Sequence, residues 1–471
     1  MIKKITLSTL AIAILAVSVN AKTSKKYVYA KAYSQAYMNK VEKKLDKALK
    51  KIDELEASNN ESIDELYERV DENEFYATMN RIKWGAEFEV STSFIDGETG
   101  SMKIPGMSIP STDYSRNNQW TTKLRLSMDA KINDKTKFTG RLSMFKNWSD
   151  STPNTLTDPA QGRKPVGGGA IYVERAYVDY APISSLIFTI GRQPSSDGPG
   201  MTLVENTKRK STYPALLFDG AADGIVVTSK LAPSSAMNPT FRVAYGKGYQ
   251  DTTNYSAYTP NQNEIEDLNV YGAFYEMSLP FESMGNNLLV LSYVNAKDFV
   301  GHPQYTSAPN NQNLGDMTLA GIYFENNKAF GTNLSYFISA GFNMPDSNGK
   351  TVNFGAMTGN QDVALLAENG HAFQIGARYD IGSIKVGYEF NKGSRYWYSF
   401  TNGSSDLLNK LATRGSVNDI YAIYQLDIYQ FIKLGYTMID YEYTGSGWHI
   451  GTPMETDDYV NRAYATYNLR F

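Results

Sequence analysis

The chain has 471 residues, 42 % hydrophobic and 20 % charged, with 46 lysines and arginines against 49 acids for a formal charge of −3. So even a balance leaves no electrostatic footprint for nucleic acid, and the absence of cysteine excludes disulfides, thiolate metal sites, iron–sulfur clusters and covalently attached haem. Mean hydropathy is −0.40, and past the N-terminus no run is apolar enough for a membrane-spanning helix; a barrel escapes that test, because its strands need only alternate positions apolar.

Residues 1–21 read as an export signal. Lys3 and Lys4 lead an apolar run from Ile5 to Val19, and Val19-Asn20-Ala21 places small residues where cleavage falls. Residues 22–79 form a periplasmic helical segment: Met38, Val41, Leu45, Ala48, Ile52 and Leu55 recur three and four residues apart between faces of Lys, Asp and Glu. This heptad stripe slips in "ASNNES", near Asn59, and resumes with Ile63, Leu66 and Val70. Two placements fit it, a self-associating coiled-coil rod and a helix folded into a barrel mouth as a plug.

At residue 81 the period falls to two. In "RIKWGAEFEV" Ile82, Trp84, Ala86, Phe88 and Val90 share one face, and Lys83, Gly85, Glu87 and Glu89 the other. "QWTTKLRLSMDAKI" sets Trp120, Leu124, Leu126 and Met128 against Lys123, Arg125 and Asp129. "AFQIGARYDI" and "IKVGYEFNK" repeat the pattern, with Arg378, Lys385 and Glu389 on the polar side. Short links such as "NDKTK", "APISS", "IGS" and "DIYQ" alternate with long Gly-, Pro- and Asn-rich stretches. That rhythm belongs to transmembrane barrels, with tight turns at one end and large loops at the other.

The whole reads as all-β: an antiparallel transmembrane barrel of about 16 strands over 80–471, preceded by the helical coiled coil. Its wall then presents Lys83, Glu87, Glu89, Lys123, Arg125, Asp129, Arg141, Arg175, Arg378, Lys385 and Glu389 to a polar, water-filled lumen. Asp179 adds to the acidic side, so the wall carries both signs. In the last strand, "NRAYATYNLRF", Ala463, Ala465, Tyr467, Leu469 and Phe471 face lipid while Arg462, Tyr464, Thr466, Asn468 and Arg470 face inward. Closure pairs this strand with "RIKWGAEFEV", removing an edge that lipid does not tolerate.

A terminal Phe471 after Tyr467 and Leu469 resembles the signal read by the barrel-assembly machinery of bacterial outer membranes. In the order of its parts the chain is similar to general bacterial porins, and "VGYEFNKGSRYW" and "YEYTGSGWHIGTP" resemble segments of a proteobacterial family of predicted outer-membrane proteins of unknown function. The leading rod is similar to the periplasmic stalks of some porins. The porin likeness implies passive diffusion of small hydrophilic solutes or ions, a homo-oligomer such as a trimer, outer-membrane lipid around it and no cofactor.

It also implies that the third external loop, after strand five, folds inward; here that loop is 193–223, with Asp197, Glu205, Lys208, Arg209 and Lys210 at the constriction. The basic triplet favours anions there. As an ordinary solvated turn it would do nothing, and the acids of the loop, Asp219 and Asp223 included, work against it. A second function fits the same barrel: a sheath for a lumen-bound electron-carrying protein or lipid.

Catalysis has little to stand on. His302, His371 and His449 fall in or beside loops, and Ser446 with His449 in "GSGWHIG" lacks a nucleophile elbow. The oxygens of "DSNGK" and "NEIEDLN" complete no calcium loop, so no metal is expected.

Overall fold

The computed structural model describes residues 26–79, 82–104, 106–148, 171–193, 197–220, 222–249, 266–280, 286–301, 312–353, 362–401 and 406–471. The signal segment 1–21 and His302 lie outside them. The chain divides into two compact units, Met1–Asn80 and Arg81–Phe471.

The first unit holds one helix, α1 (Lys26–Met79), which runs without a break through "ASNNES". The interruption expected near Asn59 is therefore a change in the stripe and not in the backbone. Ser62, which could compete with the helix, instead returns its hydroxyl to the carbonyl of Ser58 at 2.9 Å. Met38, Val41, Leu45, Ile52, Leu55, Ile63, Leu66 and Val70 are all exposed.

The second unit is built of β1 (Ile82–Thr99), β2 (Met102–Ile104), β3 (Met107–Ile109), β4 (Thr112–Lys131), β5 (Thr136–Asn147), β6 (Ile171–Ile183), β7 (Leu186–Arg192), β8 (Asp223–Lys230) and β9 (Thr240–Tyr249). It continues with β10 (Leu268–Met277), β11 (Asn286–Lys297), β12 (Gly315–Asn327), β13 (Leu334–Ser347), β14 (Gly370–Ile381), β15 (Ile384–Gly393), β16 (Gly415–Gln425), β17 (Gln430–Tyr441) and β18 (Tyr459–Arg470). Strands β2 and β3 make a separate hairpin, and the other 16 close into an antiparallel barrel in which each pairs with its chain neighbour and β18 returns to β1. The seam is sealed to the last residue: Ala86 N–H donates to Phe471 O at 2.8 Å, and Phe471 N–H donates back to Ala86 O at 3.0 Å.

The alternation sorts as the strands require. Trp84, Phe94, Ile190, Val243, Tyr293, Ile338, Ile420 and Leu434 stand exposed on the outside, where only hydrocarbon would leave them undisturbed. Trp84, Tyr180, Tyr379 and Tyr424 mark the short-turn end of this belt; Tyr245, Tyr271 and the stacked pair Trp120–Trp148, 4.8 Å between centroids, mark the other. Such aromatic girdles suit the two lipid–water boundaries.

Inside, two sectors differ. Strands β1, β4, β5, β6 and β18 turn Glu87, Glu89, Lys123, Arg125, Arg141, Arg175, Arg462 and Asn468 inward. Strands β11, β12, β13, β16 and β17 instead turn in Val290, Val294, Met317, Leu319, Phe337, Val417, Ile423, Phe431 and Ile439, all buried. The uniformly polar lumen expected from the charged strands thus holds for one side only. The apolar sector is covered by the chain's own long loops. Glycines make room there: Phe337 lies over Gly376, Tyr421 over Gly387 and Tyr464 over Gly435, where a Cβ would come within 2.3 Å of the ring.

Candidate functional site: a loop across the bore

The connection from β7 to β8 is the third of the long loops, and residues 197–220 of it lie inside the barrel. Asp197 opens the inward stretch with φ 61°, a left-handed conformation that Asp tolerates better than most residues. Its Oδ2 accepts from Arg141 Nη2 and Arg175 Nη2, each at 2.9 Å, and its Oδ1 stands 3.8 Å from Arg125 Nη1. Arg141 and Arg175 are direct partners across β5 and β6. Two guanidiniums so placed repel one another unless an anion sits between them, and Asp197 does.

A second anion comes from a bulge. Register between β5 and β6 slips beside Arg141, whose partner is Arg175 while Leu142 faces Val173, so Glu174 is the extra residue. Glu174 and Arg175 are consequently both buried. Glu174 pairs with Arg141, with Ser143 and, at 3.2 Å, with Arg125 Nε. Glu87 continues the network to Lys123, Arg125 and Arg470, each at 3.4 Å, and Glu89 joins Lys123 at 2.9 Å. Lys123 is 3 % exposed, Arg125 5 % and Arg141 2 %, so the arrangement is largely closed to water.

From Asp197 the loop crosses to the far wall. Gly200 N–H donates to Tyr323 Oη on β12 at 3.0 Å, and Gln374 of β14 donates to Gly200 O at 3.2 Å. The turn 201–206 then ends in carbonyls that meet wall cations: Leu203 O accepts from Arg378 at 2.9 Å, Val204 O from Lys433 at 3.2 Å, and Glu205 O and Asn206 O from Arg470 at 3.1 and 3.0 Å. Carbonyl ends of helical turns favour such donors. Lys385 donates to Asn206 Oδ1 at 2.7 Å. The Glu205 carboxyl would be raised by burial alone, but Lys433, Lys123 and Arg470 outweigh it and hold it near about 2.

The chain next turns toward β9 and β10, where Arg209 makes a two-point contact with Glu276 at 2.9 and 3.0 Å. Farther on, Ala215, Leu216 and Leu217 are buried in the apolar sector. Leu217 seats on Gly321 and Gly341, where a Cβ would approach it to 2.5 and 2.9 Å. Phe400 N–H donates to Leu217 O at 3.0 Å and Asp219 N–H to Phe400 O at 2.9 Å, joining the loop to the connection between β15 and β16. That second connection brings Lys410 onto Glu389 at 3.0 Å and Asp419 at 2.6 Å. A polar cavity remains beside the turn, lined by Glu89, Thr121, Glu205, Asp419, Lys433 and Arg462.

The constriction candidates separate by sign. Asp197 and Glu205 are taken up by wall cations, Asp219 is buried, and Lys208, Arg209 and Lys210 are exposed. Lys210 is open to solvent yet enclosed by the barrel; that enclosure, with Arg141 adding to it, draws its ammonium down to about 8.

The wall charges expected in the lumen find partners in different places. Asp129 goes to Lys137 at 2.8 Å and Asp179 accepts from Thr189 at 2.6 Å, so neither faces Arg141 or Arg175. Arg378 pairs with Asp380 at 2.8 Å, and Lys83 is exposed at the short-turn rim. Glu174, Glu276, Lys410, Asp419 and Lys433 join the site unforeseen; strand alternation marks Asp419 and Lys433 as inward, whereas the bulge at Glu174 leaves no trace in the pattern. Ser446 and His449 have other partners: Ser446 Oγ accepts from Arg414 N–H at 3.0 Å, and His449 Nε2 lies 3.0 Å from Val300 O. Among the described residues no acidic or histidine group is gathered for a metal. Residues 263–265 of "NEIEDLN" lie outside them.

A closed barrel of 16 strands, lipid-facing outside and charged within, with the loop after its fifth barrel strand in the bore, defines an outer-membrane β-barrel of porin architecture. The chain belongs to the family described as Protein of unknown function (DUF3373), whose model matches residues 113–469. Among solved structures it is similar to OmpF of Salmonella typhi, in complex with daunomycin, at 12 % identity and a TM-score of 0.46 over 83 % of this chain and 98 % of that one. It is also similar to OprB of Pseudomonas putida, at 10 % identity and 0.47 over 84 % and 96 %, and to OmpT of Vibrio cholerae, at 11 % and 0.41 over 83 % and 99 %. No curated protein matches by sequence.

Proposed function

We propose that the protein is a narrow diffusion channel of the outer membrane for small hydrophilic solutes, with a preference for anions set by Lys208, Arg209 and Lys210. The supporting observation is the division of charge in the loop: Asp197 and Glu205 are paired with wall cations, while Lys208, Arg209 and Lys210 stay exposed, with Arg209 sharing its charge with Glu276. Low-dielectric walls concentrate the field of such a cluster. The sheath reading asks for room in the lumen, where the chain's own Met201, Leu216, Leu217, Trp397 and Tyr398 already pack in one cluster with wall residues. The N-terminal segment lies in the periplasm on this reading, and the barrel-assembly machinery recognises the terminal strand.

Planar-bilayer recordings under a salt gradient test the proposal. The native chain should give discrete steps with an anion-side reversal potential. K208E/R209E/K210E should move that potential to the cation side. Lys210 is protonated below about 8, so the anion preference should be full near pH 6 and decline as pH rises through 8. Absence of steps in the native protein, or a reversal potential indifferent to the triple substitution, would overturn it.

A further inference from the structure

The apolar stripe of α1 has no cover within its own unit: Met38, Leu45, Leu49, Ile52, Ile63, Leu66 and Val70 are exposed by 44 to 59 %. The charge along the helix is as uneven as the stripe is continuous. Lys26–Ile52 carries eight lysines against two acids, a net +6, and Asp53–Met79 carries ten acids against one arginine, a net −9. This order does nothing for an isolated helix, whose dipole favours acids at the start and bases at the end. Its first turn holds no acid and its last no base.

We propose that α1 pairs antiparallel with α1 of a second copy of this chain, about a two-fold axis near Glu54. The stripe is nearly palindromic about that point: Met38 and Val70 lie 16 residues either side of it, Leu45 and Ile63 nine, and Leu49 and Asn59 five. Antiparallel pairing therefore sets Met38 against Val70 and Leu45 against Ile63, with Asn59 meeting Leu49, while Val41 and Leu66, and Ile52 and Leu55, fall one residue from level. The charges reverse about the same residue. Lys40 comes level with Glu68, Lys43 with Glu65, Lys44 with Asp64 and Lys47 with Glu61. A parallel, in-register pair would lay the lysine half on itself and the acidic half on itself, the arrangement that coiled coils use to reject a partner. The coincidence of the stripe's midpoint with the change of sign, between Ile52 and Asp53, selects the antiparallel arrangement.

Such a contact is isologous and closes after two copies. At 1.5 Å per residue the two Met79 ends lie about 75 Å apart, whereas a parallel three-fold stalk would bring them together.

The chain has no cysteine, so the full-length protein with a single nitroxide at Lys40→Cys, Glu54→Cys or Glu68→Cys reports the arrangement directly. The antiparallel pair gives a short distance at residue 54, near the roughly 10 Å helix spacing, and about 42 Å at both 40 and 68. Mixing K40C with E68C protein should give disulfide-linked dimers that neither forms alone, and 1 M salt should reduce their yield. Equal short distances at all three positions would overturn the proposal in favour of a parallel bundle. No dipolar coupling at any of them would overturn it in favour of a partner other than this chain, such as an anionic polymer on the lysine half. Far-UV circular dichroism confirms that the labelled helices are intact.

Discussion

Asp197→Asn should raise single-channel conductance several-fold and drive the reversal potential further toward anions. The argument rests on where the charge sits. Asp197 is buried between Arg141 and Arg175 at 2.9 Å from each, and removing one member of a buried ionic cluster costs about 3–5 kcal/mol, because the others are left uncompensated. Glu174 still serves Arg141 and Arg125, so the wall survives; what is lost is the carboxylate through which the loop holds Arg141 and Arg175. The neutral amide can accept from the guanidiniums but does not offset their charge, and residues 197–200 should withdraw from β5 and β6. That withdrawal exposes Arg141 and Arg175 to the bore and adds them to the basic cluster. Recordings in planar bilayers, with heat-modifiable migration as the fold control, decide it. Unchanged conductance in a correctly folded variant would mean that Leu216, Leu217 and the carbonyl contacts of 203–206 hold the loop and that the Asp197 ion pairs contribute no closure.

The barrel was legible because its signal is local. Clean alternation in 82–90, 119–132 and 463–471 fixes which side chain faces lipid, and short and long connections in turn fix the strand order. The porin resemblance implies an inward loop, the strand count locates it at 193–223, and residues 197–220 meet the inner wall. What alternation cannot carry is anything made by one extra residue or by a returning loop. Glu174 escapes because a bulge turns two adjacent residues inward; Lys410 escapes because a loop residue has no parity. The apolar half of the interior was obscured for a related reason. Strands such as "NNLLVLSYVNAK" are apolar on both faces, one for lipid and one for the loop that lies on it, and a two-sided apolar strand shows no period. Asp197 was picked out as a constriction residue, yet its role as a counter-ion depends on the cross-strand meeting of Arg141 with Arg175, which only register reveals.

Arg414→Met should leave the barrel folded while making the outer loops open to protease. Arg414 is 1 % exposed, and its guanidinium donates to three carbonyls from two loops: Trp397 O at 3.0 Å, Thr444 O at 2.9 Å and Trp448 O at 2.6 Å. The guanidinium reaches the three carbonyls from three separate nitrogens in a fixed plane, whereas lysine holds its three donors on a single nitrogen at the chain end. Around it Phe299, Tyr398, Phe400 and His449 pack ring on ring, and Phe400 bonds to the bore loop at Leu217 and Asp219. Methionine fills similar volume but leaves the carbonyls unpaired, at about 1–3 kcal/mol each where they stay buried. The native loops would sooner open to water, so the loss appears as local unfolding. Protease added to the outside should cut within 394–401 and 443–451 about two to three orders of magnitude faster, following a local loss of about 3–4 kcal/mol, with strand fragments still protected. Arg414→Lys should recover only part of the resistance. If both variants resist cleavage as the native protein does, the aromatic cluster holds these loops without the arginine.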